Sequence, residues 1–280
     1  MAMAVNEAGV VTGVSAGSSL ASAFEVTATG TTGAVVQPSH ARPGHRLPTV
    51  SLVIPTRNEA RNVAAVLEHV PGIVDEVIVV DTRSSDVTKL MARSVRPDVR
   101  IIEEPRTGKG HALRAGLAAG RGDVLVAMDA DGSMSPEEIP RFVYPLIHDF
   151  DFTKGSRFMS GGNSLDITPG RHLGNWGLVE LVNVLFKVHY TDLCYGFFAL
   201  RRVFLESLDL SSTGFEIETE IVLRAQRIGL RIAEVPSVEL PRRNGSSGLH
   251  AGRDGVRILR AILEEFRAMR EPAPSSTAKP

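Results

Sequence analysis

Val124-Leu125-Val126-Ala127-Met128-Asp129-Ala130-Asp131 decides the fold of this 280-residue chain. An unbroken apolar run reads as a strand buried on both faces, as in a parallel sheet. It leads directly into two carboxylates spaced by one small residue. Ligands of open α/β sheets bind outside the carboxyl ends of the strands, so Asp129 and Asp131 stand where a site belongs. Ionised carboxylates there need a cation or solvent. Hard divalent cations such as Mg²⁺ are held by one or two carboxylates together with substrate phosphates. A strand ending in an ordinary polar turn is the alternative reading of the same residues.

The flanking sequence repeats the pattern. Thr49-Val50-Ser51-Leu52-Val53-Ile54-Pro55 is a second apolar run, closed by Pro55-Thr56-Arg57-Asn58-Glu59. Val77-Ile78-Val79-Val80 is a third, closed by Asp81. Between them, Glu59 to Val70 carries Val63, Val66, Leu67 and Val70 at helical spacing. Strands alternating with helices, each strand ending in polar residues, predict an α/β domain with a mostly parallel sheet flanked by helices.

Pro55-Thr56-Arg57-Asn58-Glu59, Asp81 and Asp129-Ala130-Asp131, in this order after successive strands, resemble the family 2 glycosyltransferases of the GT-A fold. Their branch of dolichol-phosphate mannosyltransferases and bacterial polyprenyl-phosphate glycosyltransferases is the most similar. The resemblance spans roughly residues 49 to 250 and implies a Rossmann-like nucleotide-diphospho-sugar transferase. It implies that Pro55, Thr56, Asn58, Glu59 and Asp81 line a nucleotide pocket. It also implies that Asp129, Ala130 and Asp131 form a DxD motif holding the donor diphosphate through Mg²⁺ or Mn²⁺. That family often has Gln two residues past the second Asp; here the position is Ser133, which leaves the third protein ligand open.

Composition narrows the rest. A formal net charge of −1 gives no broad footprint for nucleic acid. A single cysteine, Cys194, excludes an intramolecular disulfide framework and suits a reducing cytosol. Cys194 reads as a small buried residue. No run of about 18 apolar residues occurs, so no transmembrane helix is expected. Residues 1–47 read as a flexible extension, with Phe24 to Thr29 as an alternative partner-pairing strand. Residues 48–270 read as one domain, and 271–280 as a disordered tail. The expected location is the cytoplasm, with peripheral contact at the inner membrane face as a further option and a homodimer left open.

Further along, Arg106-Thr107-Gly108-Lys109-Gly110 precedes a helix from His111 to Ala119. A basic, glycine-containing loop at a helix start suits phosphate, so Lys109 is a candidate nucleotide-sugar contact; a solvated turn is the alternative. Ser135-Pro136-Glu137-Glu138 predicts a capped helix start. Asp151 to Arg157 reads as a strand ending in Gly-Ser-Arg, Phe158 to Pro169 as a lid-like loop, and Gly174 to His189 as a helix. By the resemblance, Arg157 lies near phosphates, Asp192 is an acceptor-site carboxylate, Glu216 lies near the acceptor, and Arg242, Arg243 and Ser246 close over phosphate. A turn residue is the other reading of Asp192. For Glu218 and Glu220, complementing a helix dipole suffices. The last helix, Val256 to Met269, carries Leu259, Ile262, Leu263 and Phe266 on one side and several arginines elsewhere; packing on the domain, or contact with an anionic membrane, accounts for it.

The expected activity is inverting, metal-dependent transfer of a hexosyl group from a GDP- or UDP-sugar to a polyprenyl phosphate. A hydroxyl acceptor requires a general base, for which Asp192 and Glu216 are the catalytic candidates. An ionised phosphate acceptor requires only arginines. A soluble small-molecule acceptor is the second expectation. A sugar-1-phosphate nucleotidyltransferase or a non-catalytic nucleotide binder is the alternative of another class.

Overall fold

The computed structural model describes the strand segments 2–5, 10–14 and 24–29 and residues 47–245 and 248–270. Its centre is the apolar run quoted above, here β7 (Val124–Ala127). Parallel to it lie β4 (Val50–Thr56), β5 (Glu76–Asp81) and β6 (Arg100–Glu103), in the order β7-β4-β5-β6. On the other side β10 (Phe198–Arg201) runs antiparallel between β7 and β8 (Phe152–Ser156), and β11 (Ile232–Pro236) lies parallel to β8.

Alternate strand residues feed two cores. Val53, Ile78, Val80, Leu125 and Ala127 face one layer of helices; Leu52, Ile54, Val77, Val79, Val124 and Val126 face the other. This period of two, with both faces covered, is why Leu52 to Ile54, Val77 to Val80 and Val124 to Ala127 are unbroken apolar runs. The first layer holds α3 (Lys109–Ala119), α5 (Pro169–Phe186), α6 (Ile217–Arg227) and α7 (Ala251–Arg270). The second holds α1 (Val63–Glu68), α2 (Thr88–Val95) and α4 (Ile139–Ile147). The expected mostly parallel α/β architecture is present.

Local readings differ in instructive places. The helix expected from Glu59 begins at Val63, because the Glu59 carbonyl closes a turn with the N–H groups of Asn62 and Val63. The expected capping box at Ser135 is absent: Ser135 makes no side-chain cap, and a 3₁₀ turn, Pro136–Glu138, precedes α4. Glu138 is drawn away, accepting hydrogen bonds from Ser237 Oγ and from Val238 N–H at 3.4 Å. Helix α5 starts at Pro169 rather than Gly174; Thr168 Oγ1 accepts from Arg171 N–H, and Pro169 takes the first helical position. Phe158 to Pro169 is not structureless. Its β9 (Asn163–Ser164) pairs in parallel with β12 (Val238–Glu239).

Within the stretch expected as an extension, β1 (Ala2–Val5), β2 (Val10–Val14) and β3 (Phe24–Thr29) are strands. β3 pairs antiparallel with β11, within the chain rather than with a partner, so the edge that β11 would otherwise expose is covered. The tail 271–280 lies outside the described residues.

Gly116 sets the approach of α3 to the sheet. A Cβ there would lie 2.3 Å from Val53 Cγ1 and 2.8 Å from Val80 Cγ2. Overpacking costs up to about 3 kcal/mol, against about 1 kcal/mol by which Ala exceeds Gly in a helix. Gly116→Ala is therefore expected to lower the urea midpoint; an unchanged or raised midpoint would show that α3 can retreat from β4 and β5.

Candidate functional site

The carboxyl ends of β4, β5, β7 and β8 open on one side, where the residue before β10 and the starts of α3 and α6 also arrive. Asp129 and Asp131 sit just past β7. Both oxygens of Asp129 lie close to Lys109 Nζ, at 2.6 and 2.8 Å. Lys109 is the first residue of α3 and also reaches Glu218 Oε1 at 2.5 Å. Gly196 leaves room for this pair, since a Cβ would come within 2.6 Å of Glu218 Oε1 and 2.7 Å of Lys109 Nζ and the two side-chain ends would have to shift. Burial pulls the Lys109 pKa down, but the charges of Asp129 and Glu218 outweigh it and leave the ammonium above its ordinary range. Burial raises Glu218, and Lys109 only partly opposes this.

Asp131 is buried. Its Oδ1 accepts from Ser133 N–H at 3.0 Å and Ser133 Oγ at 2.7 Å, and its Oδ2 is 2.7 Å from Arg242 Nη1. Arg242 also lies 3.5 Å from Asp166. The Arg243 N–H donates to the Asp131 carbonyl at 3.3 Å, and its side chain lies over Gly132. Two carboxylates thus face two cationic side chains. This donor set fits a hard divalent cation held by one or two carboxylates and completed by a substrate diphosphate. Among the described residues no cluster of three or more His, Cys, Asp or Glu side chains forms a closed protein cage. Ser133 is occupied with Asp131.

The nucleotide-pocket candidates divide into scaffold and open groups. Thr56 is buried and donates to the Val80 carbonyl at 3.2 Å. Pro55 is half-buried and Ala130 buried, both flanking the strand ends. Asn58 sits at φ 57°, and its Oδ1 accepts from Ser85 N–H at 2.8 Å, tying the ends of β4 and β5 together. Glu59 accepts from Asn62 Nδ2 at 2.6 Å; burial raises its pKa, with the charge of Asp131 adding to the rise. Asp81 is buried, with Oδ2 accepting from Ser84 N–H at 3.1 Å and Oδ1 without a partner. An unpaired buried carboxylate oxygen invites a donor.

The acceptor-side candidates are bonded within the protein. Asp192 and Arg157 are both buried and joined twice, Nε to Oδ2 at 2.7 Å and Nη2 to Oδ1 at 3.0 Å. Arg157 further donates to Glu239 and to the Cys194 carbonyl. Burial would raise the Asp192 pKa, yet Arg157 holds it below the ordinary range. In this arrangement Asp192 and Arg157 are each other's counterions and fasten the 192–194 loop to the end of β8. The reason is topological: β8 and the loop before β10 converge, and a buried guanidinium requires carboxylates. Glu216 is half-buried; its Oε1 accepts from Thr213 and Gly214 N–H at 3.2 and 2.9 Å, while Oε2 has no partner beside a cavity of about 250 Å³ lined by Arg257 and Arg260. Ser246 lies outside the described residues. Burial, with the charge of Asp192 next, pushes the Cys194 thiol up to about 12, which removes it as a nucleophile.

Glu218 is the site residue that sequence reading missed. A first-turn acid explains itself by the helix dipole, and nothing in local spacing announces Lys109, 109 positions away.

Residues 51–209 match the family described as Glycosyl transferase family 2. This chain belongs to that family. Undecaprenyl-phosphate mannosyltransferase of Micrococcus luteus is 33% identical over 227 residues, covering 75% of this chain and 91% of the relative. Dolichol-phosphate mannosyltransferase of Pyrococcus furiosus is 32% identical, covering 79% of this chain and 64% of the relative. Among solved structures, glucosyl-3-phosphoglycerate synthase from Mycobacterium tuberculosis, in complex with Mn²⁺, UDP and glucosyl-3-phosphoglycerate, superposes with TM-score 0.64 at 25% identity, covering 84% of this chain and 87% of that one. The same enzyme was also solved with Mg²⁺ and UDP, at TM-score 0.66 over 84% of this chain and 86% of that one, again at 25% identity. The family 2 enzyme described here therefore has a GT-A glycosyltransferase fold.

Breaking a buried ion pair by removing one partner costs about 3–5 kcal/mol. Asp192→Asn is expected to lower stability on that scale in urea titration. Because the folded-state pKa of Asp192 is depressed, the stabilisation is complete above the unfolded value near ~3.9 and is lost as pH falls through the folded value. A stable Asp192→Asn variant with abolished turnover would restore the base assignment.

Proposed function

We propose that this enzyme transfers a hexosyl group, with inversion, from a nucleoside-diphosphate sugar to a phosphate-bearing acceptor, with polyprenyl phosphate the preferred class. The carrying observation is the pair Asp129 and Asp131 past β7, each facing a cationic side chain. These carboxylates would hold Mg²⁺ or Mn²⁺, which would supply charge neutralisation at the leaving diphosphate. The chain's own residues complete the work. Lys109 keeps its proton beside Asp129 and stays cationic where the diphosphate arrives. Arg242 spans Asp131 and Asp166 and can give up the first for a phosphate oxygen while keeping the second. Asp81 Oδ1, buried without a partner, would accept an N–H of the nucleotide base if the loop after β5 opens to the donor.

The acceptor class is supported by the pairing of the carboxylate candidates and by the relatives. Asp192 is tied to Arg157, and Glu216 accepts from the turn that opens α6. An ionised phosphate needs no general base, whereas a hydroxyl does. The mannosyltransferase relatives carry undecaprenyl phosphate and dolichol phosphate in their names. The solved synthase complex contains glucosyl-3-phosphoglycerate, which favours a soluble phosphorylated acceptor as the second reading. No helix among the described residues is long and apolar enough to cross a membrane, and a cytoplasmic or peripheral placement accords with either acceptor.

The test is release of nucleoside diphosphate from GDP- and UDP-sugars with Mn²⁺ or Mg²⁺, with and without short-chain polyprenyl phosphate. Release should depend on the lipid phosphate, stop with a chelator, and fall about 100-fold in Asp131→Ala, the scale of several kcal/mol of lost charge stabilisation. Release answering only to phosphoglycerate-like acceptors would select the second reading. Full activity after chelation would remove the metal from the mechanism.

A further inference from the structure

Arg257 and Arg260 lie one turn apart on α7. Both are exposed, and neither makes a hydrogen bond or ion pair among the described residues. The buried acids Glu220 of α6 and Glu265 of α7 serve other arginines. Arg224 reaches Glu220 at 2.9 Å and Glu265 at 2.7 Å, and Arg227 reaches Glu265 at 3.4 Å. Arg257 and Arg260 instead line the cavity of about 250 Å³ that they share with Ser212, Thr213 and Glu216.

The loop before α6 forms the other wall. The Ser211 and Ser212 N–H groups donate to Glu220 at 3.0 and 2.9 Å, and those of Thr213 and Gly214 to Glu216 Oε1. The backbone donors are thus engaged, while the Ser212 and Thr213 hydroxyls have no partner among the described residues. Glu216 Oε2 is buried and unpaired. A Cβ on Gly214 would lie 2.6 Å from that oxygen and 2.9 Å from Arg257 Nη1, so the two tips reach one spot, yet no ion pair joins them.

These groups describe their complement. Two guanidinium forks and two hydroxyls suit a phosphate group. A buried, unpaired carboxylate oxygen calls for a donor, so an ester carrying alcohol groups fits better than bare phosphate. Glu264, one turn beyond Arg260 on the same cavity, offers further acceptor oxygens. The volume lies below the ~300–1,000 Å³ of drug-sized ligand pockets. Among the described residues lining it none is aromatic, so a nucleotide base has nothing to stack on. Ala261 is the one apolar side chain there, which gives an isoprenoid chain no wall.

The same loop seats the start of α3. The Thr213 carbonyl accepts from Gly110 N–H at 3.0 Å, and a Cβ on Gly108 or Gly110 would collide with the Thr213 or Ser212 carbonyl. Lys109, between these glycines, has its Nζ 5.8 Å from the centre of the Phe215 ring. The cavity therefore adjoins the lysine that faces Asp129 without sharing a residue with the Asp129–Asp131 edge.

We propose that Arg257, Arg260, Ser212, Thr213 and Glu216 form a second site, for a small water-soluble phosphate monoester carrying hydroxyl groups. It stands apart from the transfer reaction and is tested without nucleotide sugar, so its failure leaves that reading untouched.

The probe is sn-glycerol 3-phosphate, titrated by calorimetry without donor or metal. It should bind about tenfold more tightly than inorganic phosphate, the worth of a hydrogen bond to a charged group, and glycerol should not bind. Arg257→Gln combined with Arg260→Gln should weaken binding about tenfold or more with the urea midpoint unchanged, because both side chains are exposed and unpaired. Asp131→Ala should leave binding intact. The backbone amide resonances of Thr213 and Gly110 should move as the site fills, a readout that needs no variant. Neither heat nor amide shifts on adding glycerol 3-phosphate would overturn the site. So would binding that is lost in Asp131→Ala and kept in the double arginine variant, which would place the ligand at the catalytic edge. Tighter binding of a short-chain polyprenyl phosphate at the same amides would overturn the soluble ligand and assign the cavity to a lipid phosphate.

Discussion

The buried guanidinium of Arg157 organises the open edge of this enzyme. It joins the end of β8 to Asp192 in the loop before β10 and to Glu239 in β12. Each of these segments carries something forward. The loop after Asp192 leads to Gly196, against which Lys109 and Glu218 close. β12 leads to Leu240, Arg242 and Arg243, which bond the backbone and carboxylate around Asp131. Such a pair contributes little net stability over an apolar replacement, but its partners cannot separate without leaving a charge uncompensated. Its consequence is geometric: three chain segments are held in register around the β7 carboxylates.

A second buried pair works beside it. Lys154 of β8 meets Glu234 of β11 at 2.7 Å, and Glu234 also accepts from Thr191 N–H and Thr191 Oγ1. The loop carrying Thr191 and Asp192 is thus anchored at adjacent points to two strands. Beside these pairs β10 enters the sheet antiparallel to both β7 and β8. The preceding loop must cross the open edge to deliver Gly196, and β10 then returns downward between β7 and β8.

The site itself holds positive and negative groups in opposition. Lys109 lies against Asp129 and Glu218, and Arg242 against Asp131 and Asp166. A diphosphate and a divalent cation bring the same two signs of charge. Asp81 differs, since one of its oxygens is buried and unsatisfied.

Sequence alone determined the mostly parallel α/β class, the alternation of strands and helices, and the placing of Asp81, Asp129 and Asp131 at strand ends. Those features arise from hydrophobic periodicity and from the rule that polar groups follow a buried strand, both local in the chain. Lys109 was legible for the same reason, as a basic residue at a helix start. The fates of Asp192 and Arg157 were not. A carboxylate and a guanidinium 35 positions apart look equally suited to substrate until the fold shows that each is the other's counterion. Glu218, the missing cap at Ser135 and the pairing of β9 with β12 were settled in the same way. Whether a polar side chain serves a ligand or the protein depends on which distant segments converge on it, and only the tertiary structure decides that, because desolvation is imposed by packing and not by neighbours in sequence.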